Sequence, residues 1–371
     1  RAPLSHPSPH ASIGHIPRDM APAPRGPHRP RSARARAVSP VFWGRPRAPV
    51  RSRAVHTLAP RPTLADLGDH LPGGDVIELP VELDSPLEHL ERYTVLRLIG
   101  AGGMGKIYQA WDALLERHVA LKVMRPEVPQ KEQRRFRREA LLGARLLHPG
   151  LVRVYDMGVD AAGAAEWMAM EYLPGTDLLR LLDATRARGR AMPWPALVRG
   201  LSQVLGALQY CHDCRIIHRD VKPANMFVTR DPNTRFLTSK LLDLGVALDL
   251  DDPPPGRSEP LCGDPHYMAP EQTRQGARID PRADVYAAGV SLYELATGVL
   301  PFEEMADAPV STLLAAQREA DPPPPSARVP DDFSPELADR LDRLFARACA
   351  KHPGRRFPSA RAMQAALLSD Y

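Results

Sequence analysis

From Tyr93 onward the apolar positions fall into two regimes. In the first, short runs with near two-residue alternation predict strands at Tyr93 to Ile99, Lys106 to Trp111, His118 to Met124, Leu151 to Gly158 and Ala165 to Glu171. One charged stretch interrupts them, Gln130 to Leu147, and its spacing predicts a helix that stops before His148-Pro149-Gly150. After Tyr172-Leu173-Pro174-Gly175 the period becomes helical, with helices expected over Asp177 to Arg188, Trp194 to His212, Ala283 to Gly298, Val310 to Ala320, Pro335 to Lys351 and Ser359 to Leu368. Thr176 and Asp177 offer an N-cap for the first of these. Leu197, Leu201, Val204, Leu205 and Leu208 mark one buried face of the second. The pattern predicts an α+β chain with a small β-rich lobe containing one main helix, a hinge near 171–176, and a larger, mainly helical lobe. No internal repeat is visible.

Residues 1–62 follow neither period. They hold 12 arginines, no lysine and one acid, Asp19, together with 13 of the 41 prolines. Their charge is +11, which leaves −6 for the rest of a chain whose total is +5. Such a segment buries too little apolar surface to offset chain entropy, so it is expected to be a disordered Arg/Pro-rich tail, with 63–92 as a linker. Within the linker, Val76 to Val81 alternates and predicts an isolated strand. An arginine tail poor in acids suits nucleic acid, an anionic membrane or a transit peptide. Its prolines would disrupt an amphipathic helix, and a solvated extension with no specific nucleic acid is the reading adopted. Four cysteines and no uninterrupted apolar run of bilayer length point to a reducing, cytoplasmic setting without a membrane span. Arginine outnumbers lysine 43 to 6. Each of Lys106, Lys122, Lys131, Lys222, Lys240 and Lys351 therefore asks for its own explanation.

The chemistry gathers in order along the chain. Gly100, Gly102 and Gly105 fit G-x-G-x-x-G, a loop that brings backbone amides close to phosphates. The residues after Gly105 read as strand rather than helix, which argues for a loop folded over a nucleotide and against a dinucleotide-binding unit. Lys122 lies inside the apolar run Val119-Ala120-Leu121-Lys122 and needs an anionic partner there; Glu139, the central acid of an arginine-crowded helix, is the candidate. His218-Arg219-Asp220-Val221-Lys222-Pro223-Ala224-Asn225 follows, then Asp243-Leu244-Gly245 and Ala269-Pro270-Glu271.

This ordered set resembles the eukaryotic-type protein kinases over Tyr93 to Leu368. Gly100 to Tyr108, Tyr267 to Gln272 and Asp284 to Phe302 resemble the bacterial, Hanks-type serine/threonine branch. The resemblance implies the two-lobed kinase fold, with an N-lobe over 93–171 and a C-lobe over 177–368. It also implies transfer of the ATP γ-phosphate to Ser/Thr hydroxyls of protein substrates, with Mg²⁺ as the metal. By that resemblance Lys122, held by Glu139, contacts phosphates under the loop Gly100, Ala101, Gly102, Gly103, Met104 and Gly105. Ile99, Ile107, Ala120 and Phe227 line the adenine site, Met170 is the gatekeeper, Glu171 and Leu173 give hinge backbone contacts, and Asp177 touches ribose. Asn225 and Asp243 hold the metal. Asp220 orients and deprotonates the acceptor hydroxyl, and Lys222 stabilises the transferring phosphoryl group. His218 is structural, Asp284 braces the catalytic loop, and Glu271 pairs with Arg356. The resemblance leaves room for a dimer that autophosphorylates.

Several positions depart from the family pattern. Leu244 replaces a usual phenylalanine, a hydrophobic exchange. Asp264 stands where threonine is usual, near Asp220 and in competition for Lys222, so the rival reading is a pseudokinase or scaffolding nucleotide-binding module with weak or no transfer. Ser258 is the lone hydroxyl between Leu244 and Cys262, while Asp249, Asp251, Asp252 and Glu259 are expected to stand in for an activating phosphate by pairing with Arg219. Cys211-His212-Asp213-Cys214 lacks the second pair that a four-ligand metal site needs, and reads as the end of a helix. Gly143, one turn after Glu139, serves either close packing or a looser helix. Pro253 to Pro255 and Pro322 to Pro325 read as spacers.

Overall fold

A computed structural model describes residues 89–160, 165–230, 237–252, 262–330 and 333–369. The tail 1–62, the Val76 to Val81 run, Pro253 to Pro255, Ser258 and Glu259 lie outside the described residues. Strands β1 (His89–Leu90), β2 (Tyr93–Ala101), β3 (Gly105–Asp112), β4 (Arg117–Met124), β5 (Val154–Val159) and β6 (Glu166–Glu171) form one antiparallel sheet in the order β1-β2-β3-β4-β6-β5. The two-residue period sorts the side chains of β4. Val119, Leu121 and Val123 enter a core with Tyr93, Tyr108 and Trp167, in which Trp167 meets Tyr93 edge-on at 5.3 Å. The opposite phase places Lys122 with Met124, and Met124 packs with Met168 against Phe136 and Ala140 of helix α1 (Gln130–Arg145). A strand lysine is thereby aimed at the helix that carries Glu139.

Helix α1 buries Phe136, Glu139, Ala140, Leu142 and Gly143, a stripe of helical spacing. It stops at Arg145, short of the expected Leu147, because Leu146 is already extended on the way into Pro149. Leu151 lies outside β5: it forms a parallel bridge to Leu241, flanked by Leu241 N–H to Gly150 O (2.8 Å). The residues expected to begin a strand thus tie the sheet lobe to the helical one. Gly143 is a packing glycine. A Cβ there would stand 3.4 Å from Val154 Cβ and inside van der Waals contact of Val154 Cγ2.

The second lobe is built from α2 (Leu178–Ala187), α3 (Trp194–Asp213), α4 (Arg282–Thr297), α5 (Val310–Glu319), α6 (Pro335–Ala348) and α7 (Ala360–Leu368). Asp177 caps α2 by accepting from Arg180 N at 2.8 Å. Gly298 ends α4 with φ 79°, the left-handed conformation that glycine tolerates. Every residue from Ala283 to Ala296 is buried, so α4 is the central rod of this lobe. Helix α6 ends at Ala348, before Lys351, where the chain turns to bring that lysine back under α5. Between β6 and α4 lie short strands that the periodicity did not predict: β7 (Gly175–Asp177), β8 (Ile216–Ile217), β9 (Met226–Arg230), β10 (Leu237–Leu241) and β11 (Leu248–Asp249), paired β10-β9-β7 and β11-β8. They carry the loops with the chemistry. Cys211 belongs to the apolar core and burial pushes its thiol up to about 12; among the described residues no cluster of His, Cys, Asp or Glu has the geometry of a metal site.

Candidate active site

The glycine turn joins β2 to β3. Gly102 N–H donates to Gly105 O at 2.9 Å, and Arg125 steadies the turn by donating to Gly102 O at 2.6 Å. A Cβ on Gly105 would strike the Val123 carbonyl, whereas Ala101, Gly102 and Gly103 stand exposed at the tip. Ile107 pairs across the sheet with both Gly100 and Lys122, and Ala120 with Met170. Phe227 and Asp177 are cross-strand partners in the β7-β9 pair. Strand register thus brings together these residues, up to 50 positions apart, within each of the two sheets.

Lys122 Nζ reaches both carboxylate oxygens of Glu139, at 2.7 and 2.8 Å. Burial works against the ammonium, but Glu139 and Asp243 outweigh it and hold Lys122 above its ordinary value. Burial also pushes the Glu139 carboxyl up, with Lys122 opposing and Asp243 adding. Asp243 opens onto the cleft. Partial loss of water raises its carboxyl, yet Lys122, the Gly245 N–H at 2.8 Å, His218 and Lys222 prevail and keep it below the usual carboxylate range.

The His218–Asn225 loop is organised from beneath by Asp284. This fully buried carboxylate accepts from His218 N (2.9 Å) and Arg219 N (2.8 Å), with His212 Nε2 at 2.7 Å. These bonds hold Arg219 at φ 64°, a left-handed conformation that strains a residue with a Cβ; Asp243 shares it at φ 61°. His218 Nε2 lies 3.1 Å from Leu242 O, which ties the loop to the strand preceding Asp243. Asp220 is then surrounded by donors: Lys222 Nζ at 3.0 Å, Asn225 Nδ2 at 2.9 Å and the backbone N–H of Asp264 at 3.0 Å. The Asp264 carboxylate stands 3.7 Å from Lys222, and its other oxygen accepts from His266 N at 3.1 Å, so the Asp264 side chain is turned toward its own loop. Burial tends to lower the Lys222 ammonium, but Asp220 and then Asp264 raise it above its ordinary value.

Glu271 and Arg356 form a buried bidentate pair with both contacts at 2.7 Å. Two of the acids expected at Arg219 are engaged elsewhere. Asp249 accepts from Arg145 at 3.0 Å and Asp251 from Arg215, while Arg219 Nε donates to Val246 O at 2.6 Å. The β8-β11 pairing carries Asp249 under the C-terminal end of α1, where Arg145 lies, so the loop is tied to the helix that bears Glu139. Sequence reasoning also missed three contacts: Lys240 Nζ pairs with Glu171 at the hinge (2.8 Å), Arg135 donates to Cys262 Sγ (2.9 Å), and Lys351 holds the Gln317 carbonyl (2.9 Å). Lysine scarcity was the available signal for the first and last. The Glu171 N–H is taken by Arg153 O at 2.8 Å.

A glycine turn over a strand lysine that a helix acid holds, with a carboxylate flanked by lysine and asparagine, is the arrangement of the two-lobed kinase class. Residues 93–368 match the protein kinase domain family, and the chain belongs to that family, in its Hanks-type serine/threonine branch. It is 41% identical to serine/threonine-protein kinase pkn3 of Myxococcus xanthus over 74% of this chain and 49% of that protein. It is 36% identical to serine/threonine-protein kinase PknB of Mycobacterium tuberculosis over 77% of this chain and 44% of that protein. The chain thus spans about half the length of the curated relatives it matches. Among solved structures, the Mycobacterium tuberculosis PknI kinase domain superposes with a TM-score of 0.57 at 30% identity, covering 76% of this chain and 98% of that one.

Proposed function

We propose that the chain transfers the γ-phosphate of ATP to Ser or Thr hydroxyls of protein substrates, with 93–368 as the catalytic domain. The observation that carries this reading is the Asp220–Lys222–Asn225 cluster set opposite the Lys122–Glu139–Asp243 cluster. The donors suit Mg²⁺: Asp243 is an anionic carboxylate, and Asn225 spends its amide nitrogen on Asp220, which leaves the amide oxygen for a cation. Asp243 and Asn225 would hold that ion, which when bound would supply positive charge to the nucleotide phosphates. The protein's own groups do the rest. Lys122, fixed by Glu139, positions the phosphates and the glycine turn covers them against water. Asp220 aligns the incoming hydroxyl and accepts its proton, while Lys222 supplies positive charge to the transferring group. Lys222 lies closer to Asp220 than to Asp264, and the relatives named as serine/threonine-protein kinases likewise support transfer over a pseudokinase.

The proposed partners are proteins in the cytoplasm, where ATP and Mg²⁺ are available, including a second copy of the chain for autophosphorylation. Among the described residues no helix is long and apolar enough to cross a membrane. Labelled ATP with a generic basic protein substrate tests the reading. Wild type transfers label; Asp220→Asn binds Mg-ATP but transfers on the order of a thousandfold less. Equal transfer by both would refute it.

A further inference from the structure

Lys351 is one of six lysines in a chain that otherwise uses arginine, and it touches neither nucleotide-site cluster. Its ammonium lies 5.5 Å from the Phe302 ring and donates to the Gln317 carbonyl at 2.9 Å, near the C-terminal end of α5, where orphan carbonyls favour a cation. The Gln317 side chain completes the connection. It is 1% exposed, and Nε2 donates to Pro265 O at 2.6 Å and to His266 O at 3.0 Å. A carboxamide has two N–H donors, and here both are used on consecutive carbonyls. Consecutive carbonyls of an extended chain point to opposite sides, so two directed at one amide require a turn. That turn begins at Asp264, whose N–H donates to the catalytic Asp220 and whose carbonyl accepts from Tyr267 N at 3.1 Å.

The other end of the connection is equally anchored. Arg356 donates to Ala350 O at 2.8 Å and Lys351 O at 3.1 Å while its guanidinium grips Glu271. One circuit, Glu271–Arg356–Lys351–Gln317–Pro265/His266, therefore closes beneath the segment that runs from the catalytic loop to Ala269-Pro270-Glu271.

We propose that Gln317, seated by Lys351, is a positioning residue for the protein substrate: it sets the shape of the Asp264–His266 turn beside which the acceptor residue's chain lies. The inference rests on the kinase reading above and adds to it which residues control recognition of protein as distinct from nucleotide. Because Gln317 acts through backbone carbonyls on the acceptor side of Asp220, its loss weakens the protein substrate and leaves the nucleotide half of the site intact.

The experiment compares wild type with Gln317→Met, Gln317→Glu and Lys351→Met. It reads KM and kcat for a basic protein substrate, KM for ATP, the slow hydrolysis of ATP by water to ADP and phosphate, and the thermal melting temperature. Gln317→Met keeps length and loses both donors; it is expected to raise KM for the protein about tenfold with ATP KM and hydrolysis unchanged. Gln317→Glu places a carboxylate against two carbonyls and exceeds that. Lys351→Met shifts KM in the same direction by less, and carries the comparison should the Gln317 variants fail to fold. A Gln317→Met enzyme with wild-type protein KM, or one whose ATP KM rises in step, would overturn the inference while the kinase reading stands. A wild type that transfers nothing would remove the kinase reading and this inference with it.

Discussion

Gly143→Ala sets two magnitudes against each other. Replacing a helix-interior glycine with alanine contributes about 1 kcal/mol through propensity alone. The new methyl would stand 3.4 Å from Val154 Cβ and inside contact of its Cγ2, against a branched side chain that is stiff at χ1. Overpacking of this kind costs about 1–3 kcal/mol, so the clash outweighs the propensity gain and the expected result is a net loss of about 1 kcal/mol. The strain has a functional outlet. Moving α1 away from β5 carries Glu139, one turn earlier, away from Lys122, so KM for ATP rises as stability falls. Urea denaturation and ATP kinetics on Gly143→Ala, Val154→Ala and the double variant measure both effects. The double variant should regain stability relative to additivity by more than about 0.5 kcal/mol, because the two side chains share one space. If Gly143→Ala alone is more stable than wild type by about 1 kcal/mol with ATP KM unchanged, the packing argument is wrong and the glycine serves flexibility instead.

Two further outcomes follow from the buried and half-buried acids. Asp264→Thr, or Asp264→Asn, which keeps the acceptor for His266 N, relieves Lys222 of a second carboxylate 3.7 Å away and is expected to raise kcat for protein phosphorylation. The side chain is 32% exposed, and solvent screening limits the gain to about two- to fivefold; a kcat at or below wild type in both variants would show that the acid assists transfer. For Asp284, burial raises the carboxyl but the His212 and backbone hydrogen bonds prevail, so its folded value lies below that of the unfolded chain. Its contribution to stability is then complete above the unfolded carboxylate value of about 3.9 and lost as pH falls through the folded one. The gap in urea midpoint between wild type and Asp284→Asn should be constant near neutrality and narrow below about pH 4. A gap independent of pH would exclude the ionised, hydrogen-bonded carboxylate.

Much of the candidate site could be nominated from the sequence because its residues sit in short, ordered motifs whose chemistry is local. Gly100, Gly102 and Gly105 are recognisable as a turn whatever surrounds them, and a lysine in an apolar strand demands an acid partner wherever that partner lies. The partner of Asp249 was not legible. Charge alone favoured Arg219, whereas the two-residue pairing of β8 with β11 delivers Asp249 to Arg145. The short strands β7 to β11 escaped for a related reason. Each has two to five residues, too few to display a period, and each is defined by its partner strand rather than by its own pattern.

The sequence by itself determined the division into a sheet lobe and a helical lobe, because burial on one face imposes periods of 2 and 3.6 that the order of apolar and polar residues displays directly. It also determined which ionisable residues are chemically conspicuous. Lys122 with Glu139 and Glu271 with Arg356 were paired from the sequence as well, but tertiary structure alone decided the other contacts. Leu151 became a bridge to Leu241 rather than the start of a strand, Gly143 a packing contact, and Lys351 the seat of Gln317. A hydrogen bond, an ion pair or a van der Waals overlap depends on distances between residues far apart along the chain, and those distances exist only once the two lobes have folded.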